Sequence, residues 1–156
     1  MTINIFEALR NDHEVQRELL AKLINTHGDS PERRKLFEKL KKEVTDHAKA
    51  EERYFYSPLI EHDQTIDKAR HSVAEHHELD ELIDQLDEME FSNTAWLTVA
   101  KQLSEKLEHH LSEEEHEIFQ VAGKVLSSSE KALLAQEYNT EMHHLEGDSG
   151  DLKQAH

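Results

Sequence analysis

Residues 47–51 read His-Ala-Lys-Ala-Glu and residues 110–114 read His-Leu-Ser-Glu-Glu, so a His-x-x-x-Glu pattern occurs twice, 63 positions apart. The same displacement relates His13 to His76. Residues four apart in an α-helix lie only about 40° apart around its axis, so each His and Glu project from one helix face. The repeated pattern therefore predicts two matching helical segments that each carry a pair of metal-binding side chains.

The apolar residues around these pairs follow the same 63-residue displacement. They recur at spacings of three and four, which is typical of α-helices. Two helical hairpins of one design bury their apolar stripes most simply by pairing, which predicts an all-α, up-down-up-down four-helix bundle. The matching positions are Leu19 and Leu82, Leu20 and Ile83, Leu23 and Leu86, Leu36 and Val99, Leu40 and Leu103, and Val44 and Leu107.

Capping and breaking residues set the expected bounds of the helices. Asn4 with Glu7 resembles a capping box, Gly28 is typical of a helix end, and Ser30-Pro31 is typical of a helix start. We expect one domain, residues 1–146, with a flexible tail at 147–156. The predicted helices run from Asn4 to Gly28, from Pro31 to about Ser57, from Asp63–Ile66 to about Met89, from about Asn93 to Ala122, and, as a short fifth helix, from about 129 to 146.

The composition excludes several classes of function. Cysteine is absent, so disulfides, thiolate metal sites and cysteine nucleophiles are excluded. With 34 acidic against 18 basic residues the formal charge is −16, which argues against nucleic-acid binding. No apolar run approaches the roughly 18 residues of a membrane span, and no leader-like segment opens the chain. We therefore expect a cytoplasmic protein with neither a nucleic acid nor a membrane as partner.

The His and Glu side chains are expected to point into the bundle, because they continue the apolar stripes. Leu40, Val44, His47 and Glu51, for example, follow one another at intervals of four, three and four. Buried carboxylates without a counter-charge are costly, so a cation is their natural partner. A set of nitrogen and oxygen ligands suits iron, manganese or zinc, and two carboxylates can bridge two ions. The six predicted ligands are His13, His47, Glu51, His76, His110 and Glu114.

These motifs, read in order as H-HxxxE-H-HxxxE over about residues 4–122, resemble the hemerythrin-like HHE cation-binding domain. The resemblance implies a centre of two iron ions, bridged by oxo, hydroxo or carboxylate groups, and a chemistry of O2, NO or peroxide or of iron handling. Oxygen-carrying hemerythrins have a second histidine four residues before the one in their third helix, where this chain has Ser72. The resemblance therefore favours reaction at an open metal position over reversible oxygen carriage.

Three functions follow from this reasoning. The first is a non-haem di-iron protein that binds or reacts with O2, NO or peroxide, with enzymatic turnover left open. The second is a protein without turnover that stores iron or senses O2 or NO. The third is a helical interaction protein whose histidines titrate near neutral pH and that needs no metal.

Some residues stay open as additional members of the site. They are His71, His77, His109, Tyr54 and Glu117, with packing or surface roles as their alternatives. The fifth helix is expected either to cover one end of the bundle or to form a contact between two copies in a homodimer.

Overall fold

The structure is a computed structural model that describes residues 3–154, with side chains described for residues 3–146. Within these residues there are helices and turns but no strand, which confirms the all-α prediction. None of the described helices is long and apolar enough to cross a membrane. The elements are α1 (Ile5–Leu23), α2 (Pro31–Glu51), a first π-helical turn (Glu52–Tyr56), α3 (Ser57–Leu59), α4 (Ile66–Glu88), α5 (Thr94–Glu113), a second π-helical turn (Glu114–Ile118), α6 (Phe119–Val125) and α7 (Ser128–Gln154).

Side-chain caps begin several of the described helices. Asn4 accepts a hydrogen bond from the backbone N–H of Glu7 at 3.0 Å, and Ser30 accepts one from Arg33 at 3.1 Å with Pro31 as the next residue. Asn93 caps α5 in the same way. Each cap satisfies a backbone N–H that has no partner inside its helix, which is worth about 1 kcal/mol.

The first helix is shorter than the sequence predicts, because α1 ends at Leu23 and not at Gly28. Two polar side chains donate hydrogen bonds to backbone carbonyls at its end. Asn25 donates to Ala21 O at 3.0 Å, and Thr26 donates to Leu23 O at 2.6 Å. Gly28 instead lies in the connection to α2, with a positive φ of 59°. Glycine adopts this backbone conformation without steric cost, so it marks the turn rather than the helix end.

The helices pack as two antiparallel hairpins. The first hairpin consists of α1 and α2, and the second of α4 and α5. Further contacts join α1 to α5 and α2 to α4, which closes the bundle. The fifth helix of the prediction is α7, which is longer than expected and packs on α1, α2 and the first π-helical turn. Its last turns fall in the segment predicted as a tail, of which residues 155 and 156 lie outside the described residues.

Two apolar clusters fill the bundle, one on each side of the predicted ligands. The α7-side cluster includes Leu9, Phe55 and Tyr138, and the loop-side cluster includes Leu20 and Trp96. Fully burying a side chain of this size stabilises the fold by roughly 1.5–3 kcal/mol, so the two clusters hold the helices in register. Each bundle helix, taken with the π-helical turn that continues α2 or α5, runs from one cluster to the other, and its ligand candidates lie between them.

At the ends of α2 and α5 the helix changes to π-helical geometry beside the predicted ligand carboxylate of each repeat. The first π-helical turn follows Glu51 and the second begins at Glu114. A π-helical turn holds more residues than an α-helical one, so the residue five positions on returns to the same helix face. Tyr56 and Phe119 are these residues, and both are buried.

Candidate metal centre

The six predicted ligands meet in the middle of the bundle, where all six are buried. Their ligand atoms form two groups, and within each group these atoms lie within 4.8 Å of one another. Both groups share the same two carboxylates, which lie where they can bridge two ions. The first group is His13, His47, Glu51 and Glu114, and the second is Glu51, His76, His110 and Glu114.

Glu51 lies between histidines from both hairpins. Its Oε1 is 3.1 Å from His76 Nε2, and its Oε2 is 3.5 Å from His47 Nε2. Neither of its oxygens has a hydrogen-bond partner of acceptable geometry among the described residues. A fully buried carboxylate normally satisfies both oxygens, so this environment is one that a cation would complete.

Glu114 is the counterpart of Glu51 in the other hairpin. Its Oε1 is 2.9 Å from His13 Nε2, and its Oε2 is 3.7 Å from His110 Nε2. Oε2 also accepts a hydrogen bond from the hydroxyl of Tyr56, whereas Oε1 has no hydrogen-bond partner among the described side chains. One oxygen of Glu114 is therefore held by the protein, and the other is directed at the ligand cluster.

Carboxylates from the opposite hairpin hold the outer nitrogens of two histidines. His13 Nδ1 lies 2.8 Å from Glu115, and His76 Nδ1 lies 2.7 Å from Glu52. Burial alone would raise the pKa of Glu115, but hydrogen bonds from His13 and Arg17 lower it to about 2. A carboxylate on Nδ1 fixes the ring and leaves Nε2 free for a metal, which is the usual arrangement of metal-binding histidines.

The other two histidines are held by carboxylates of their own hairpin. His110 Nδ1 lies 2.8 Å from Glu75, and this hydrogen bond lowers the pKa of Glu75. His47 Nδ1 lies 3.4 Å from Asp12 and 2.5 Å from the hydroxyl of Tyr138, which itself donates to Asp12. Tyr138 comes from α7, so the fifth helix contributes to the centre.

The four outer carboxylates were not identified from the sequence, although the repeat contains the signal. The 63-residue displacement that relates the ligands also relates Asp12 to Glu75 and Glu52 to Glu115. Each is an acidic residue next to a predicted ligand, on a helix rich in surface charge, where acidic residues are common. Only their recurrence in both copies separates them from solvated surface residues.

Of the two tyrosines that follow Glu51 in the chain, Tyr56 and not Tyr54 reaches the centre. Tyr54 lies three residues after Glu51, where an α-helix would bring it near, but the π-helical turn places Tyr56 on that face instead. Tyr54 is half-buried and packs against the α7-side cluster. Burial and the charge of Glu114 raise the pKa of Tyr56 well above its ordinary value, so its phenol stays protonated and donates.

The pKa values of the buried histidines and glutamates indicate a site that binds protons when it binds no cation. Burial alone would lower the pKa values of His13, His47 and His76, but the carboxylates beside them raise all three, that of His76 to about 9. Burial and the charge of Glu51 raise the pKa of Glu114, whereas His47 helps to hold the pKa of Glu51 well below its ordinary range despite burial. A cation entering such a site displaces these protons.

Four of the residues left open by the sequence lie outside the buried cluster. His77 and Glu117 are exposed. His109 is 72 % exposed and lies 3.2 Å from Glu113. His71 is 56 % exposed and also faces Glu113. None of these side chains therefore adds a ligand to the six.

A helical bundle that gathers four imidazoles and two carboxylates at its centre is a metal-binding bundle by fold and by donor chemistry. The family model of the hemerythrin HHE cation-binding domain matches residues 4–122, and the chain belongs to this family. The family is defined by cation binding, and the orphaned buried nitrogens and oxygens of this chain fit that property.

The fold also has a solved relative. A crystal structure of a hemerythrin HHE cation-binding domain-containing protein from Mycobacterium kansasii superimposes with a TM-score of 0.85. The match covers 94 % of this chain and 89 % of the other, at 23 % sequence identity. At this identity the likeness establishes the fold alone. No curated protein matches the sequence significantly.

Proposed function

We propose that this protein is a non-haem di-iron protein that binds or reacts with a small oxidant such as O2, NO or peroxide. The observation that carries the proposal is the pair of four-ligand groups that share Glu51 and Glu114. A donor set of imidazoles and carboxylates without thiolates suits iron, and two shared carboxylates suit two ions held side by side. When bound, the iron ions supply redox chemistry and open coordination positions for the small ligand.

The side chains of the cluster have separate tasks in this proposal. The two glutamates would be shared by both ions, and each of the four histidines would hold one ion through Nε2. The outer carboxylates Asp12, Glu52, Glu75 and Glu115 hold the imidazole rings in the orientation that keeps Nε2 free and increase the basicity of the rings. Loss of such a partner typically lowers metal affinity by about 10–100-fold.

The surroundings of the cluster favour a small ligand. The six ligand side chains are at most 5 % exposed, so bulk water is largely excluded. Leu9 and Phe119 form apolar surroundings on the side of His13, with the Phe119 ring stacked 6.1 Å from the histidine ring. On the other side Tyr56 supplies a protonated hydroxyl beside Glu114, next to the buried Ser72. A diatomic molecule or peroxide suits such a space better than an organic substrate.

The test is elemental analysis of protein purified without a histidine tag, together with its visible absorption spectrum. About two iron ions per chain, with a charge-transfer band that changes when peroxide or NO is added anaerobically, is the expected result. If the protein contains no metal and takes up none from ferrous iron under anaerobic conditions, the proposal is wrong. The chain would then be a histidine-rich helical scaffold.

A second candidate function is a sensor or store without turnover, and one contact favours the sensor. Tyr138 of α7 bonds to His47, so the metal state of the centre is connected to a helix outside the bundle. A change of charge at His47 alters this hydrogen bond and therefore the packing of α7 on the bundle. Rapid peroxide consumption would contradict this candidate, whereas a metal-dependent change in proteolysis of α7 without turnover would favour it.

A further inference from the structure

A separate group of potential ligands lies on the surface of the second hairpin. His71 and Glu75 on α4 face Glu113 on α5, and one ligand atom of each lies within 4.8 Å of the others. His71 Nε2 is 3.1 Å from Glu113 Oε1 and 3.5 Å from Glu75 Oε2. We call these three residues the outer cluster.

The outer cluster differs from the buried centre in its access to solvent. The His71 side chain is 56 % exposed, whereas those of Glu75 and Glu113 are 13 % and 18 % exposed. An ion can therefore reach the imidazole directly while the carboxylates lie partly sheltered beneath it. As ion pairs alone, such partly exposed contacts contribute at most about 1 kcal/mol to stability.

Both glutamates of the outer cluster are held in place by a second histidine. Glu75 uses its other oxygen, Oε1, to accept from His110 Nδ1 at 2.8 Å. Glu113 uses its other oxygen, Oε2, to face His109 Nε2 at 3.2 Å. Each carboxylate is thus fixed by one oxygen and presents the remaining one to His71. This preorganisation is what a metal site requires of its ligands.

The first hairpin has no such cluster at the matching place. There the 63-residue displacement puts Ala8, Asp12 and Ala50 in place of His71, Glu75 and Glu113. Ala8 and Ala50 are buried in the same cluster as Tyr138 of α7, so this face is covered by protein. The outer cluster is therefore not a by-product of the repeat.

We propose that the outer cluster binds one divalent cation of borderline hardness, such as Zn2+ or Fe2+, separately from the buried centre. One imidazole and two carboxylates with the remaining positions open to water match the ligands these ions take at exposed sites. Because Glu75 also holds His110, an ion bound here lies one side chain away from the buried centre.

The experiment is equilibrium dialysis of the iron-loaded protein against Zn2+, with zinc and iron both counted by elemental analysis. We expect the protein to retain a further zinc ion per chain while its iron content stays unchanged. His71→Ala and Glu113→Gln each lower the zinc affinity by about tenfold or more, because each removes a ligand. Far-UV circular dichroism checks that these surface variants remain folded.

Matched controls come from the next turn of the same helix. His116→Ala and Glu117→Gln make the same chemical changes in an exposed position and should leave zinc binding unchanged. His47→Ala should reduce the iron content but retain the outer zinc, which separates a failure of the buried centre from a failure of the outer cluster. The proposal is overturned if no further zinc binds, if zinc uptake equals iron loss, or if all four surface variants weaken binding equally.

Discussion

The two hairpins supply equivalent candidate ligands to the proposed metal centre but differ in what lies behind those residues. In the first hairpin the outer nitrogen of His47 meets Asp12 and Tyr138, and α7 covers the outer face. In the second hairpin the outer nitrogen of His110 meets only Glu75 among the described side chains, and beyond Glu75 the exposed His71 faces solvent. The candidate ligands thus match between the two repeats, whereas the residues around them differ.

Because of this difference, substitutions behind the ligands can change one half of the centre without changing the other. Coordination would depend on six residues that the repeat duplicates, whereas access and part of the hydrogen bonding depend on residues that it does not duplicate, such as Tyr138 and His71. The first hairpin also carries two polar residues, Gln16 and Glu43, where the second has Leu79 and Lys106. The inner ligands therefore explain why a metal binds, and the outer residues explain how the two sides differ.

The largest loss of iron is expected when a shared carboxylate is removed, because Glu51 and Glu114 belong to both four-ligand groups. Glu114→Ala should abolish iron binding, since both four-ligand groups lose a member, and His47→Ala should also lose metal. Iron per chain, measured by elemental analysis, is the test, and His143→Ala on the exposed face of α7 is the control. Equal iron retention in all three variants would show that the site lies elsewhere.

The second largest effect is a difference in iron affinity between matching variants of the two hairpins. Glu75→Gln removes the only carboxylate on His110 Nδ1 among the described residues and should lower iron affinity by about 10–100-fold. Asp12→Asn should lower it less, because the hydroxyl of Tyr138 remains on His47. Competition with a chelator measures both affinities, with Glu78→Gln as a surface control. Equal losses in the two variants would mean that Tyr138 has no share in holding His47.

A pH-dependent effect is expected at Glu43, a half-buried carboxyl of the first hairpin that forms no ion pair with the described side chains. Burial, and then the charge of Asp12, raises the pKa of Glu43 from 4.5 to about 7. A raised carboxyl pKa destabilises the folded state increasingly as pH rises from the unfolded value towards the folded one. Glu43→Gln should therefore stabilise the metal-free protein by about 1–3 kcal/mol at pH 8 and hardly at all near pH 4.

Urea unfolding at the two pH values measures this difference. The counterpart of Glu43 is Lys106, which forms a partly exposed ion pair with Glu78 at 2.6 Å. Lys106→Gln should change stability by less than about 1 kcal/mol at either pH value. A Glu43→Gln effect that is the same at both pH values would contradict the raised pKa.

The smallest effect, a change in the free energy of unfolding, is expected from Tyr138, which contacts the first hairpin's histidine His47. Tyr138→Phe keeps the buried ring but removes the hydroxyl between His47 and Asp12, which should lower the free energy of unfolding by about 1–2 kcal/mol. Denaturant unfolding of the metal-free protein tests this value. Tyr54→Phe is the control, because its half-buried ring packs on the same cluster. If both variants lose the same amount, the hydroxyl of Tyr138 has no special role.

Much of this architecture could be predicted from the sequence, because helical spacing and repetition encode it directly. The bundle and the inward direction of the six ligands both follow from apolar positions that recur at three and four. The end of α1 could not be predicted from Gly28, since side-chain caps at Asn25 and Thr26 act earlier. Spacing along one helix also gives no information about contacts from another element, so Tyr138 was missed.

The position of Tyr56 was missed for a different reason. Prediction of which residues share a face assumes 3.6 residues per turn, and a π-helical turn breaks that assumption although it contains no Gly or Pro itself. The acidic partners of the histidines could have been found, because Asp12 and Glu75 match under the same displacement as the ligands. Recurrence in both copies is thus more informative than local spacing for residues beside a metal.

The π-helical turns also bear on the history of the chain. Each turn accommodates an extra residue in its helix, and the two turns occupy matching places in the repeats to within one residue. The 63-residue displacement continues unbroken across them, from Glu51 and Glu114 to Tyr56 and Phe119. Descent of both hairpins from one duplicated gene segment accounts for this if the insertion preceded the duplication. The tyrosine and the phenylalanine then mark the divergence of the two copies from a common ancestor.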